Sequence, residues 1–259
     1  MNRLILFTFL VVSWGHTFAL TAEQRGLQII QEVDIRDTGF GDSESDLKMI
    51  LHNRNGDEST RDLNMKTLEV KGEGDKSLSV FSNPRDIKGT AFLSFTHALE
   101  ADEQWLYLPA LKRVKRISSS NKSGPYLGSE FAFEDLTSFE VQKYHYKYLT
   151  DDIFKNKDCF VIELYPQYKH SGYTRQVVWI DKERYIPLKV DYYDRKNALL
   201  KTLEYINYQQ YLDQYWRADE MLMINHITGK NTLLLWENYK FRNGFTERTF
   251  DRNSLKRSR

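Results

Sequence analysis

Arg113 and Arg116 are the side chains best suited to hold an anion. Each guanidinium presents a planar fork of donors, and both lie in the basic run Lys112-Arg113-Val114-Lys115-Arg116. Such a pair could grip a phosphate or acidic groups on a partner. The simpler reading is a solvated strand face, or ion pairs with Glu130, Glu134 and Asp135 further along. Groups for covalent chemistry are missing. The chain has no GxSxG elbow and no HExxH, and neither Gly39-Phe40-Gly41 nor Gly72-Glu73-Gly74 continues into a phosphate-binding loop. His52, His97, His145, His170 and His226 are scattered without metal-ligand spacing. Asp151 and Asp152 are adjacent, which in a strand sends them to opposite faces and elsewhere marks a turn. Cys159 sits in an apolar strand and reads as a small buried hydrophobe. No enzymatic activity, metal or cofactor is expected.

The basic run belongs to a longer stretch, residues 105–136, around which the chain is organised. Trp105 to Leu108 has strand composition and stops at Pro109, which removes a ladder donor. A second strand carries the cations. Residues 118–124 (SSSNKSG) have little apolar surface to pack and are the strongest candidate for a mobile flap. Apolar residues return as Tyr126, Leu127, Phe131, Phe133 and Leu136, with Ser129 placed to cap a short helix.

Residues 1–19 read as a secretory signal peptide: Arg3 supplies the positive end, Leu4 to Val12 the apolar run, and Ala19 the small residue at the cleavage position, with Ala22 as the alternative cut. Removing Arg3 turns 37 basic and 36 acidic residues into 36 of each. A formally neutral chain gives no support to nucleic-acid or general polyanion binding. Residues 20–259 are expected to form one domain, since no Pro/Gly-rich linker or repeat divides them. One cysteine allows no internal disulfide, which favours the periplasm of a Gram-negative bacterium over a eukaryotic extracellular space.

Thr21 and Gln24 form a capping-box pattern for a helix over 21–37, with Leu27, Ile29, Ile30 and Val33 as its apolar stripe. Thereafter the period is two. Leu47, Met49 and Leu51 alternate with polar residues before Asn55-Gly56, and Tyr144, Tyr146 and Tyr148 share a face later on. About ten or eleven antiparallel strands follow from this pattern, too many to stay flat. The 16 tyrosines suit a broad curved sheet with a wide apolar interior. The basic C-terminal tail, LKRSR, is expected to fray.

Phe81, Pro84, Asp86, Gly89, Thr90 and Leu93, then Trp105 to Pro109, Arg113, Arg116 and Ile117, then Gly128-Ser129-Glu130-Phe131 and Glu134-Asp135-Leu136, carry a resemblance. In this order they resemble the LolA-like outer-membrane lipoprotein-sorting protein family, in the branch associated with MMPL/RND-type exporters. The resemblance implies a β-dominated α+β fold: one curved antiparallel sheet, an incomplete β-barrel, with helices over its open concave face and an apolar cavity for the acyl chains of lipids or lipoproteins. Within the matching segments, Phe92, Phe95, Trp105, Tyr107, Phe131 and Phe133 are the candidates for lining or lid, and Arg113 and Arg116 for headgroup or partner contact. For any one aromatic, filling the core is the simpler reading.

Three functions fit these readings. One is a periplasmic lipid or lipoprotein carrier making transient membrane contact. Another is a non-carrier sensor or soluble partner of an MMPL/RND-type exporter. The third, an outer-membrane β-barrel, is disfavoured by the N-terminal helix and by charges on both strand faces.

Overall fold

The computed structural model describes residues 19–257. The apolar run read as an export signal lies outside the described residues, apart from Ala19.

Thr21 caps the helix α1, Ala22–Asp37: its hydroxyl accepts from the Gln24 amide at 3.2 Å, and the Gln24 side chain accepts from the Thr21 amide at 2.9 Å. Ile29 and Ile30 are buried, whereas Leu27 turns to solvent. At Gly26 the helix packs tightly on the strand Tyr144–Phe154: a Cβ there would sit 2.9 Å from the backbone nitrogen of Tyr148. Gly26→Val is therefore expected to lift the helix, costing about 1–3 kcal/mol despite the better helix propensity of valine. Urea unfolding checks this, with Leu27→Ala changing stability by less than about 0.5 kcal/mol.

Thirteen strands follow: β1 (Asp42–His52), β2 (Glu58–Leu68), β3 (Lys76–Asn83), β4 (Ala91–Phe95), β5 (Glu103–Leu108), β6 (Arg113–Ile117), β7 (Tyr144–Phe154), β8 (Lys157–Pro166), β9 (Tyr173–Asp181), β10 (Pro187–Asp194), β11 (Leu199–Tyr211), β12 (Tyr215–Asn225) and β13 (Asn231–Phe241). They form one antiparallel sheet in the order β6-β5-β4-β3-β2-β1-β13-β12-β11-β10-β9-β8-β7. The expected incomplete barrel is thus present, with thirteen strands instead of ten or eleven. Every pairing joins neighbours in sequence except β1 with β13, whose register runs from Ser43 opposite Phe241 to His52 opposite Asn231. The free edges β6 and β7 do not pair, so the sheet stays open.

Those two edges are consecutive in the chain, and their connection crosses the inner face. One α-helix among the described residues, together with this crossing segment and its 3-10 turns, covers the concave side where several helices were expected. The alternation of β3 shows how the faces divide. Phe81 points inward to the main cluster with Leu47, Met49, Phe92 and Leu106, whereas Leu78 points outward to Ala91, Leu93 and Trp105. The outer patch is closed by Phe250 and Leu255, each 1% exposed. The C-terminal segment expected to fray therefore packs as far as Leu255, because two apolar side chains anchor it.

Candidate functional site

The crossing segment is built from the motif residues singled out above. Tyr126 and Phe131 are 1% and 2% exposed. The ring of Tyr126 meets the strands at Phe81 and Phe92 and that of Phe133 meets Phe92, with Phe92 and Tyr126 centroids 5.2 Å apart and Phe92 and Phe133 5.5 Å apart. Ser129 does not cap the following turn. Its hydroxyl donates to the Tyr126 carbonyl at 2.7 Å and closes the bend, while the 3-10 turn Phe133–Leu136 starts at Ala132, whose amide donates to Asp135 at 2.6 Å.

The acidic residues of this segment reach the far half of the sheet. Glu130 accepts from Asn225 at 2.6 Å and its amide donates to Thr232 at 3.0 Å. Glu134 accepts from the Tyr168 hydroxyl, the Ser171 hydroxyl and the Gly172 amide at 3.0, 2.9 and 2.8 Å. Burial and neighbouring Asp135 still push the Glu134 carboxyl upward. Asp135 accepts from the Tyr173 hydroxyl at 2.8 Å and pairs with Lys201 at 2.7 Å, with both charged side chains buried. Ion pairing of these acids with Arg113 and Arg116 does not occur. Arg116 instead bonds Glu103 at 2.8 Å on the adjacent strand, and both arginines are exposed on the edge strand β6.

Residues 118–124 are held by Lys122, which is buried and pairs with Asp102 at 2.6 Å. A loop rich in serine still docks when one long side chain carries a charge to a buried partner.

The crossing segment fills one half of the concavity, and a cavity of about 1150 Å³ occupies the rest. Its aliphatic walls include Ile30 and Val33 from α1, Leu164 from β8, Val178 and Ile180 from β9, and Val190 from β10. Aromatic walls come from Tyr144, Tyr173, Tyr192, Tyr205, Tyr208 and Trp236. The hydroxyl of Tyr208 donates to the Pro187 carbonyl, whereas Tyr192, 6% exposed, makes no hydrogen bond within the protein.

None of the six aromatics chosen from the motifs lies in this wall. Phe92, Phe131 and Phe133 pack inside the neighbouring half of the concavity. Phe95, Trp105 and Tyr107 are on the outer face with Phe250, because Trp105 pairs with Leu93 and so shares its outward side. The tyrosines of the wall come instead from the second half of the chain. The tyrosine count and the shared face of Tyr144 and Tyr146 were the available signal, without a motif to select the others.

The mouth is acidic. Ten carboxylates and four cations line the cavity. Asp34 and Asp37 stand at the end of α1, Glu69, Glu73 and Asp75 between β2 and β3, and Glu140 on the crossing segment. Burial, helped by Glu69 and Asp37, pushes Asp75 up to about 6 against hydrogen bonds from the Val70 amide and Ser138. Burial and then Asp75 raise Glu140 to about 7, with Lys143 opposing. Among the described residues no cluster of metal-binding side chains is present, and no helix is long and apolar enough to cross a membrane.

A family model described as "Uncharacterized protein" matches residues 73–257. A candidate outer membrane lipoprotein-sorting protein domain from Vibrio parahaemolyticus is 57% identical, covering 90% of this chain and 99% of that one, with a TM-score of 0.89. A DUF1329 family protein from Desulfovibrio piger is 28% identical over 91% of this chain and all of its own, with a TM-score of 0.86. A LolA superfamily protein from Nitrosomonas europaea shares the fold at 20% identity, covering 91% of this chain and 99% of its own, with a TM-score of 0.71. The search of curated proteins found no match. With its open thirteen-stranded sheet and this degree of identity, the chain belongs to the LolA-like outer-membrane lipoprotein-sorting protein family.

Proposed function

We propose that this protein is a periplasmic carrier that holds acyl chains of lipids or lipoproteins in its cavity and works without covalent chemistry. The observation that carries the reading is the cavity itself, open at one side and walled by aliphatic and aromatic groups. Its volume exceeds the roughly 300–1,000 Å³ of sites for drug-sized ligands, and each methylene buried there contributes about 0.8 kcal/mol. The lipoprotein-sorting description of the Vibrio relative agrees with this reading. On the same reading residues 1–19 are the export signal, and residues 20–259 the lipid- or lipoprotein-binding domain. The three aromatics Phe92, Phe131 and Phe133 support the cavity from the filled half, and Phe95, Trp105 and Tyr107 anchor the sheet from outside. Arg113 and Arg116, exposed on a free edge, are the proposed contact for a membrane partner such as an MMPL/RND-type exporter.

Protein purified from periplasm without detergent is expected to release a stoichiometric lipid or acylated peptide into organic solvent, identified by mass spectrometry against a mock preparation. Ala218→Phe, at a wall residue 2% exposed, is expected to reduce that retention at least tenfold by occupying the space of the chain. Undiminished retention in a folded variant would place the ligand elsewhere. Loss of partner association, with retention intact, on replacing both arginines would assign them to docking.

A further inference from the structure

The charges around the cavity mouth are unbalanced, and its cations are already engaged. Arg36 bonds Glu32 at 2.7 Å, Arg184 bonds Asp181 at 2.8 Å, and Arg217 pairs with Asp37. Only Lys71, of the four lining cations, forms no ion pair, and it is exposed. Opposite them, Asp34 and Glu140 form neither a hydrogen bond through the side chain nor an ion pair, and Asp75 is met by the Val70 amide and by Ser138. Glu140 reaches the loop that carries Asp75: a Cβ at Gly74, the residue before it, would lie 2.8 Å from the Glu140 carboxylate. Burial and Asp37 likewise push Asp34 up. Burial disfavours the charged form of all three carboxylates, Asp37 and Glu69 add to it at Asp34 and Asp75, and Asp75 and Asp34 add to it at Glu140, so a positive charge brought among them would favour their ionised forms.

A second polar group faces the hollow. Tyr192 is 6% exposed and lines the cavity, yet its hydroxyl has no hydrogen-bond partner. That hydroxyl is free to donate into the cavity, and the indole Nε1 of Trp236 in the same wall is buried without a partner, so an acceptor oxygen brought by the occupant would satisfy a donor there. The polar demands of the cavity are therefore a cation and an acceptor, set in walls that want hydrocarbon.

We infer that the cavity takes an amphiphile whose polar end is an ammonium group, held among Asp34, Asp75 and Glu140, with an ester or amide oxygen meeting Tyr192. The inference rests on the acyl-cavity reading and names the class of molecule that fills it. It ranks amphiphiles with only an anionic headgroup last, because ten carboxylates line the cavity and of its four cations Lys71 alone is not held by a carboxylate.

Three laurate esters of nearly equal size separate the two readings. Lauroylcholine is cationic, 3,3-dimethylbutyl laurate is its neutral isostere, and 2-sulfoethyl laurate is anionic. Each would compete, below its aggregation concentration, with a neutral environment-sensitive dye on the full chain from residue 20. The choline ester is expected to bind at least tenfold more tightly than the neutral ester, with the sulfonate weakest. The preference should fall below threefold in the Asp34→Asn/Asp75→Asn/Glu140→Gln variant. Should that variant not fold, lowering the pH from 7.5 to 5 on the unaltered protein gives the same reading, since it protonates Asp75 and Glu140, whose carboxyls are pushed up to about 6 and about 7. Tyr192→Phe is expected to weaken all three esters by a similar factor. Equal affinity for the cationic and neutral esters, or tighter binding of the sulfonate, would overturn the headgroup inference while leaving the acyl reading standing. Failure of all three to displace the dye would end the acyl reading and this inference with it.

Discussion

Asp102→Ala is expected to lower unfolding stability by about 3–5 kcal/mol, among the largest losses available to a single substitution in this chain. Lys122 and Lys143 both pair with this one carboxylate, and the three side chains are 6%, 9% and 9% exposed for Lys122, Lys143 and Asp102. Removing the acid leaves two buried ammonium groups facing each other. The consequence reaches beyond charge. Lys122 lies in the connection leaving β6 and Lys143 at the entrance to β7, so Asp102 ties both ends of the segment that crosses the concavity. Limited proteolysis is expected to cut the variant within residues 118–124, where the unaltered protein resists.

The pH dependence has a defined sign. Burial pushes the Asp102 carboxyl up, but hydrogen bonds and charge from both lysines outweigh it and hold the group below its ordinary value of 3.8. A depressed folded-state pKa contributes stability that is fully present above that ordinary value and is lost as pH falls through the folded one. The difference between the unaltered protein and Asp102→Ala should thus stay constant from pH 5 to 8 and shrink below about 4. A loss under 1 kcal/mol in urea unfolding at pH 7 would mean that water reaches the lysines.

Lys201→Met is expected to cost about as much, roughly 3–5 kcal/mol, for the opposite reason: it strands a buried carboxylate. Lys201 donates to Asp135 at 2.7 Å and to the Glu130 carbonyl at 3.0 Å, and stands 5.1 and 5.3 Å from the ring centres of Tyr173 and Tyr192. Asp135 without it lies beside the acidic Glu134, which already has its pKa raised. Adding Asp135→Asn removes the stranded charge while keeping a group able to meet the Ala132 amide and the Tyr173 hydroxyl. The double variant should therefore recover at least about 1 kcal/mol over Lys201→Met alone in a double-mutant cycle. No recovery would assign the loss to packing of the lysine stem.

Much of this architecture is legible locally. The capping box at Thr21 and Gln24 appears as read, because both partners lie within one helical turn. Leu47 and Met49 are buried on one side of β1, and the Asn55-Gly56 connection joins β1 to β2. Alternation and turn residues act over a few positions, and a single chain displays them. The same local reading failed on faces. Phe92 and Phe95 belong to one strand of five residues, yet three positions separate them, and the odd spacing sends one inward and the other outward. Choosing both as lining required ignoring that parity.

Pairing of charges was illegible for another reason. Glu130, Glu134 and Asp135 lie close in sequence to Arg113 and Arg116, but the segment turns inward after Lys122 while the arginines stay on the outer edge. The side-chain partners of the acids come from residues such as Tyr168, Gly172, Lys201 and Asn225, between 34 and 95 positions away.

By itself the sequence determined one helix followed by a curved antiparallel sheet, and a motif order sufficient to point to the family, since each depends on local period or on residue identity. Only the tertiary structure decided where the hollow lies. That depends on which strands the crossing segment covers and which it leaves bare, and the Asp102 and Asp135 ion pairs hold the segment where it lies. The tyrosines of β9 to β11 became cavity wall because the crossing segment, among the described residues, leaves their side of the hollow open.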